Sequence, residues 1–313
     1  MFPEGSLPQQ TFVIEPTPPF DFHLTAGYHS SSRSYFGNQE FQDGIYHPII
    51  ETDENVFQAS VKSVGSTDKP KLVGTIECAQ EDPVAAEIVA RKVAWSLGTQ
   101  TQLGEFYSMA QEDPTLNTYT SQLYGLHPTR TSSIFEAIVV AITGQQIAAG
   151  VARIIRSLLI QEYGRHVTLG DQVCHLFPTP EALASAGVTA LRNIKLSTRK
   201  AEYISDLASK VASGELDLDA LHHLSDEEVE QQLVQLRGIG KWTVQWLQIV
   251  AMDRHDAFPS GDLALRRFVS FLYLNGAPID EKAVEEFSHR WYPHRSLVTV
   301  YLFAAARMGL LKT

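Results

Sequence analysis

Between residues 57 and 63 apolar and polar positions alternate, Phe57-Gln58-Ala59-Ser60-Val61-Lys62-Ser63, the period-two pattern of a half-buried strand. The alternation resumes from Leu72 to Cys78 after the turn-rich Gly65-Ser66-Thr67-Asp68-Lys69-Pro70, so a β-hairpin is predicted here. At Asp82-Pro83 the period changes. Val84, Ile88 and Val89 recur at helical spacing, Glu87 stands four residues before Arg91, and Gly98 closes the run. Asp82 reads as an N-cap and Pro83 as the first helical residue. Pro3, Pro8, Pro16, Pro18 and Pro19 work against a regular helix at the start of the chain. Residues 1–108 are therefore expected to form an antiparallel sheet with a covering helix.

From about residue 130 onward no strand pattern stands out, and helix signals follow one another. Ser133 and Glu136 are spaced as a capping box ahead of Ile134, Phe135, Ile138, Val139 and Ile142. The apolar spacing continues through Val151, Ile154, Ile155, Leu158 and Leu159 to Gly164. Thr179-Pro180-Glu181, Ser197, and Ser225 with Glu228 mark further helix starts. The fold class is α+β: a sheet domain in front, all-α behind, with the change of character near 110–130.

The chain has 313 residues, 44% hydrophobic and 19% charged, the composition of a soluble globular protein of more than one domain. Cys78 and Cys174 are its two cysteines, too few for a disulfide framework, a four-thiolate zinc site or a cysteine-held cluster. The opening MFPEGSLPQQ has neither a basic nor an apolar targeting region. The longest apolar stretch, Leu297 to Ala306, is ten residues where a membrane helix needs about 20. Neither export nor membrane insertion is expected.

Net charge is −11, which taken alone argues against a polyanionic partner. The charge is unevenly spread. Residues 1–128 carry 6 Lys+Arg against 16 Asp+Glu, and residues 129–313 carry 19 against 20. Within 237–267 the balance is positive: Arg237, Lys241, Arg254, Arg266 and Arg267 against Asp253, Asp256 and Asp262. A polyanion is thus still compatible with the rear half.

That positive stretch contains the most informative element, Leu236-Arg237-Gly238-Ile239-Gly240, between a helix from Ser225 and a second helix from Lys241 through Trp246 to Val250. Two glycines around one apolar residue allow a tight turn in which Ile239 anchors the core. The free amides heading the second helix, backed by its dipole, suit a phosphate. A plain αα-turn has the same spacing. Downstream, Pro259-Ser260-Gly261-Asp262 leads into apolar and basic residues, placing Asp262 at a helix start, where a negative charge is favoured. A simple N-cap has that position too.

Taken together, the LxGIGxWT hairpin and the Pro-x-x-Asp about twenty residues later resemble the helix-hairpin-helix (HhH-GPD) DNA glycosylases. Phe135–Gly150 (FEAIVVAITGQQIAAG) is similar to the helix that, in that superfamily, carries residues filling the gap left by a flipped base. Arg290-Trp291, Pro293, Arg295-Ser296 and Pro18-Pro19-Phe20-Asp21 resemble segments of the bacterial DNA-3-methyladenine glycosylase II type. The resemblance implies a front domain like half of the TATA-binding protein. It also implies two helical subdomains, roughly 134–254 and 109–133 plus 255–313.

For the site, the resemblance implies Asp262 as the catalytic carboxylate, with Asp256 the weaker substitute because it precedes the Pro259 loop. Trp242 and Trp246, which share a helix face, would line the base pocket with Phe303 and Tyr28, although such a pair is ordinarily core. Gly238, Ile239, Gly240, Lys241 and Thr243 would hold the DNA backbone, and Gln145 and Gln146 would fill the vacated stack. No cofactor is required, while the backbone carbonyls of Val234, Leu236 and Ile239 match positions that hold a structural Na+ or K+. The partner would be double-stranded DNA with a damaged base, bound by a monomer in the cytoplasm or nucleoid of a bacterium, or the nucleus of a eukaryote.

The implied reaction is monofunctional removal of alkylated purines such as 3-methyladenine and 7-methylguanine. Their delocalised positive charge suits aromatic faces and makes them good leaving groups. Gln146 in place of a leucine wedge, and Phe303 in place of a tryptophan, depart from the closest type. Two other readings stay open: a non-catalytic helix-hairpin-helix protein that binds damaged DNA, and a bifunctional oxidised-purine glycosylase/lyase using Lys241. The lysine of such lyases falls two residues after the second glycine, where this chain has Trp242. Backbone binding chiefly through amides predicts a shallow salt dependence.

Overall fold

The computed structural model describes residues 9–33, 39–52, 55–77, 83–169 and 172–312. The predicted hairpin is present as β4 (Val56–Ser63) and β5 (Leu72–Glu77), paired antiparallel with Ser60 opposite Thr75 and Ser63 opposite Leu72. Phe57, Ala59, Val61, Leu72 and Ile76 are buried, as alternation requires. Three further strands complete a sheet in the order β1-β5-β4-β3-β2: β1 (Gln9–Ile14), β2 (Gln39–Gln42) and β3 (Ile45–Glu51). Pro16, Pro18 and Pro19 lie between β1 and an unforeseen helix, α1 (Phe22–Arg33).

The predicted covering helix is α2 (Pro83–Ser96), but its buried stripe is Ala85-Ala86-Val89-Val93, and Val84 faces solvent. These residues join Phe12, Phe20, Phe22 and Tyr46 in one core. Gly98 ends the run with φ +60, and a Cβ there would lie 2.1 Å from the Pro128 carbonyl oxygen, so glycine is required. Pro3, Pro8, Cys78 and the expected N-cap Asp82 lie outside the described residues.

Among the described residues the helical part has two large hydrophobic cores and a small cluster of Ile249, Ala257 and Val300. In one, α3 (Gly104–Glu112) and α4 (Pro114–Gln122) supply Phe106, Ala110 and Leu116, which pack on α11 (Leu263–Tyr273), α12 (Glu281–Ser288) and α13 (Arg295–Arg307). The other core spans residues 134–252 and unites α5 (Ile134–Gly144), α6 (Ala149–Tyr163), α7 (Pro180–Asn193), α8 (Thr198–Ala212), α9 (Asp226–Leu233) and α10 (Lys241–Val250). The chain passes between the cores where the Thr131 amide donates to the Val250 carbonyl at 2.8 Å.

The expected helix starts are present. Thr179 and Ser197 accept from Ala182 and Lys200 amides, and Ser225 with Glu228 forms a full capping box. The Ser133 box is shifted: Ser133 accepts from the Glu136 amide, while the Glu136 carboxylate takes the amide of Ser132. α6 buries Ala152, Ile155 and Leu159 but leaves Val151 and Ile154 exposed.

The expectation of an all-α rear half needs one correction. A two-stranded hairpin, β6 (His166–Leu169) and β7 (Gln172–His175), follows α6, with His166 opposite His175. Each strand has four residues, too few for alternation to register, and buried Cys174, a free thiol, ties the pair down. Among the described residues no helix is long and apolar enough to cross a membrane.

Candidate active site

The hairpin between α9 and α10 is built as its glycines require. Gly238 has φ +86 and backs onto the Tyr203 ring, where a Cβ would lie 2.2 Å from the nearest ring carbon. Gly240 is the N-cap of α10 and has open space around it. Ile239 is buried in the rear core and pins the turn, its amide donating to the Leu236 carbonyl at 3.1 Å. The amides of Lys241, Trp242 and Thr243 therefore head α10 without intrahelical partners. Lys241 is exposed, whereas the Thr243 side chain is buried, so Thr243 can offer a ligand only its amide.

One face of α10 carries half-buried Trp242 and Trp246, their ring centres 6.4 Å apart and edge to face. Phe303 of α13 meets Trp246 at 5.1 Å, and Phe268 of α11 meets Phe303 at 5.3 Å. Phe268 was missed in the sequence because it reads as an ordinary core position of α11. Tyr28 packs, as Phe303 does, against the core that α11, α12 and α13 share, and the Arg307 guanidinium of α13 lies over its ring at 5.4 Å.

Asp262 stands at the edge of this row. Its Oδ1 accepts from the amides of Ala264 at 2.8 Å and Leu265 at 3.0 Å, making it the N-cap of α11. Its Oδ2 accepts from Trp242 Nε1 at 3.1 Å. Cap and pocket are thus joined in one carboxylate, held near the positive end of a helix. Asp256 is committed elsewhere, gripping Arg295 through Nε at 2.9 Å and a terminal guanidinium nitrogen at 2.6 Å.

The two glutamines have different places. Gln145 ends α5 and its Nε2 donates to the Gly238 carbonyl at 2.8 Å, so it braces the hairpin. Gln146 is exposed at the tip with φ +56. Lys200, unremarked in the sequence, fastens this loop from α8, its ammonium donating to the carbonyls of Thr143 at 3.0 Å and Gln145 at 2.6 Å. Burial pushes that ammonium below the usual lysine range, with Arg156 adding repulsion. A cleft of about 1220 Å³ lies elsewhere, between the sheet and the rear core; Trp95, Phe135 and Phe177 line it and none of the site residues does.

Residues 139–294 match the model of the HhH-GPD superfamily of base excision DNA repair proteins. The chain belongs to that superfamily. A DNA-3-methyladenine glycosylase of Bacillus subtilis is 31% identical over 202 residues, 64% of this chain and 66% of that relative, just under two thirds of its length. The DNA-3-methyladenine glycosylase 2 of Escherichia coli is 23% identical over 301 residues, covering 93% of this chain and 96% of its own. Among solved structures, a 3-methyladenine DNA-glycosylase from Archaeoglobus fulgidus superposes with a TM-score of 0.81 at 27% identity, covering 96% of this chain and all 100% of that one. The front sheet and helical rear of this chain are thus arranged as in that structure.

Proposed function

We propose that this protein is a monofunctional DNA glycosylase that turns an alkylated purine out of duplex DNA and hydrolyses its N-glycosidic bond. The single observation carrying this reading is the doubly anchored Asp262 carboxylate against the Trp242–Trp246–Phe303 row. As the bond to the base breaks, positive charge develops on the sugar, and a fixed carboxylate beside C1′ stabilises it without reorganising. Water then adds to the sugar and its proton is lost, with Asp262 the nearest base. The departing purine needs little protonation when alkylation at N3 or N7 has made it cationic, and the indole and phenyl faces attract that charge. The names of the relatives support the same substrate class, 3-methyladenine among it.

The backbone would be held by the α10 amides and Lys241, with Gln146 filling the stack. The carbonyls of Val234, Leu236 and Ile239 are hard neutral oxygens on the hairpin; they suit a Na+ or K+ shared with a phosphate. Hydrolysis consumes water alone, so no organic cofactor is called for, and one lesion needs one copy of the chain. Lys241 lies one residue before Trp242, about 100° around the helix from it. It is therefore turned away from the carboxylate's indole partner, which favours hydrolysis over a lysine-borne Schiff base.

The test is base release from a panel of duplexes bearing alkylated, oxidised or deaminated bases. Release of 3-methyladenine and 7-methylguanine by the wild type is expected. Asp262→Asn should slow it by roughly a hundredfold or more, with abasic-site binding retained. Full activity of that variant, or a covalent adduct trapped by borohydride, overturns the reading; binding without any release would favour a non-catalytic damage-binding protein.

A further inference from the structure

The base-excision reading leaves one carboxylate beside the site unused. Gly261 immediately precedes Asp262, and a Cβ built on it would lie 3.5 Å from Glu281 Oε1 and 3.6 Å from Trp242 Cβ. Glu281, the first residue of α12, therefore meets Trp242 at the loop that delivers Asp262. Glu281 is exposed, and none of the ion pairs among the described residues uses it. α12 does not need it as a cap: Asp280 holds that position, accepting from the Ala283 amide at 2.8 Å. Lys282 follows, about 100° farther around the helix.

The two carboxylates beside Trp242 are held differently. Asp262 is bonded through both oxygens to two amides and the indole, whereas the charge of Glu281 is spent on no side-chain partner. An unspent charge near a protein surface acts over several ångströms and is screened beyond about 10 Å at 0.1 M salt. Its negative potential favours a cationic purine on the aromatic row and the positive sugar left as the bond breaks, and it disfavours phosphate. A neutral base gains nothing from it. Aromatic faces attract cations but also stack on neutral bases, so by themselves they separate the two less sharply than a charge does.

We propose that Glu281 is a specificity-determining residue that biases the site toward positively charged ligands. It acts by charge at a distance, and Asp262 keeps the chemistry. The proposal rests on the base-excision reading for what enters the site, while the position of Glu281 beside Gly261 and Trp242 stands without it.

The test compares the full-length wild type with Glu281→Gln and the charge-keeping Glu281→Asp. Affinity is measured for two duplexes that differ at a single abasic-site analogue, a pyrrolidine, which is protonated at neutral pH, or the neutral tetrahydrofuran. The glutamine variant should lower the preference for pyrrolidine over tetrahydrofuran by roughly three- to tenfold at low salt and by less at high salt. Its binding to the tetrahydrofuran duplex should be unchanged or tighter, because an acid facing the phosphates has been removed. The aspartate variant should keep most of the preference. Release of 7-methylguanine should slow in the glutamine variant by a similar factor. An unchanged preference in that variant overturns the proposal. So does an equal weakening for both duplexes with a lower melting temperature, which would assign Glu281 to the start of α12. A wild type that binds but releases no base would refute the glycosylase reading, and the two-duplex comparison would still decide the role of Glu281.

Discussion

The Trp242 indole N–H donates to Asp262 Oδ2 at 3.1 Å, joining the first turn of α10 to the cap of α11. With Oδ1 held by two amides, the indole is what fixes the second oxygen. Trp242→Phe keeps an aromatic face and removes the donor. A hydrogen bond to a charged group contributes about 1.5–3 kcal/mol, so base release should slow by roughly tenfold or more. Abasic-site binding should change far less. Equal losses in the two assays would show that the ring, and not the N–H, carries the effect.

What was legible beforehand follows how local the cause is. Thr179, Ser197 and Ser225 cap helices through amides three residues ahead, so their chemistry lies within a single turn. The same is true of the β4–β5 hairpin and of the Gly238–Gly240 turn. β1 takes its partner from β5, with Gln9 opposite Glu77, and nothing in QQTFVI announces so distant a strand. α1, FHLTAGYHSSSR, carries helix-indifferent serines and histidines and is fixed by the sheet it covers. The resemblance implies a stack-filling role for Gln145, while its bond to Gly238, 93 residues away, is visible only in the fold.

Asp262 has two separable duties, capping and chemistry. Asp262→Asn keeps a carbonyl oxygen for the Ala264 and Leu265 amides, whereas Asp262→Ala leaves α11 uncapped. The alanine variant should lose about 1 kcal/mol of stability in urea unfolding, and the asparagine variant only a fraction of that. Both should be inactive. An equally destabilised asparagine variant would mean that the cap depends on charge.

The hairpin glycines should differ in kind. Gly238→Ala forces a Cβ against the Tyr203 ring at a φ of +86, so it should destabilise the rear core by about 1–3 kcal/mol and weaken DNA binding as a consequence. Gly240→Ala meets open space at a φ of −113 and should unfold like the wild type. Its methyl group stands beside the α10 amides, so duplex binding should still fall. Wild-type stability for Gly238→Ala would show that the hairpin can slide off Tyr203.

Lys200 is best understood as a positioning residue. Its ammonium is spent on the carbonyls of Thr143 and Gln145 at the end of α5, and the next residue, Gln146, holds φ +56 with its side chain exposed. Lys200→Met keeps the apolar stem and removes both donors, leaving the loop the Gln145–Gly238 bond and the Arg156–Thr143 bond at the end of α5. Because that charge is already bonded to protein, the salt slope of abasic-site binding should not move. Base extrusion should weaken by roughly tenfold, the scale of one charged hydrogen bond, read as the fluorescence gain of 2-aminopurine in a lesion-bearing duplex. Lys200→Arg, which can still donate to two carbonyls, should recover most of it. A variant that loses thermal stability and extrusion together, with no recovery by arginine, would assign Lys200 to folding; a reduced salt slope would place its charge on the DNA.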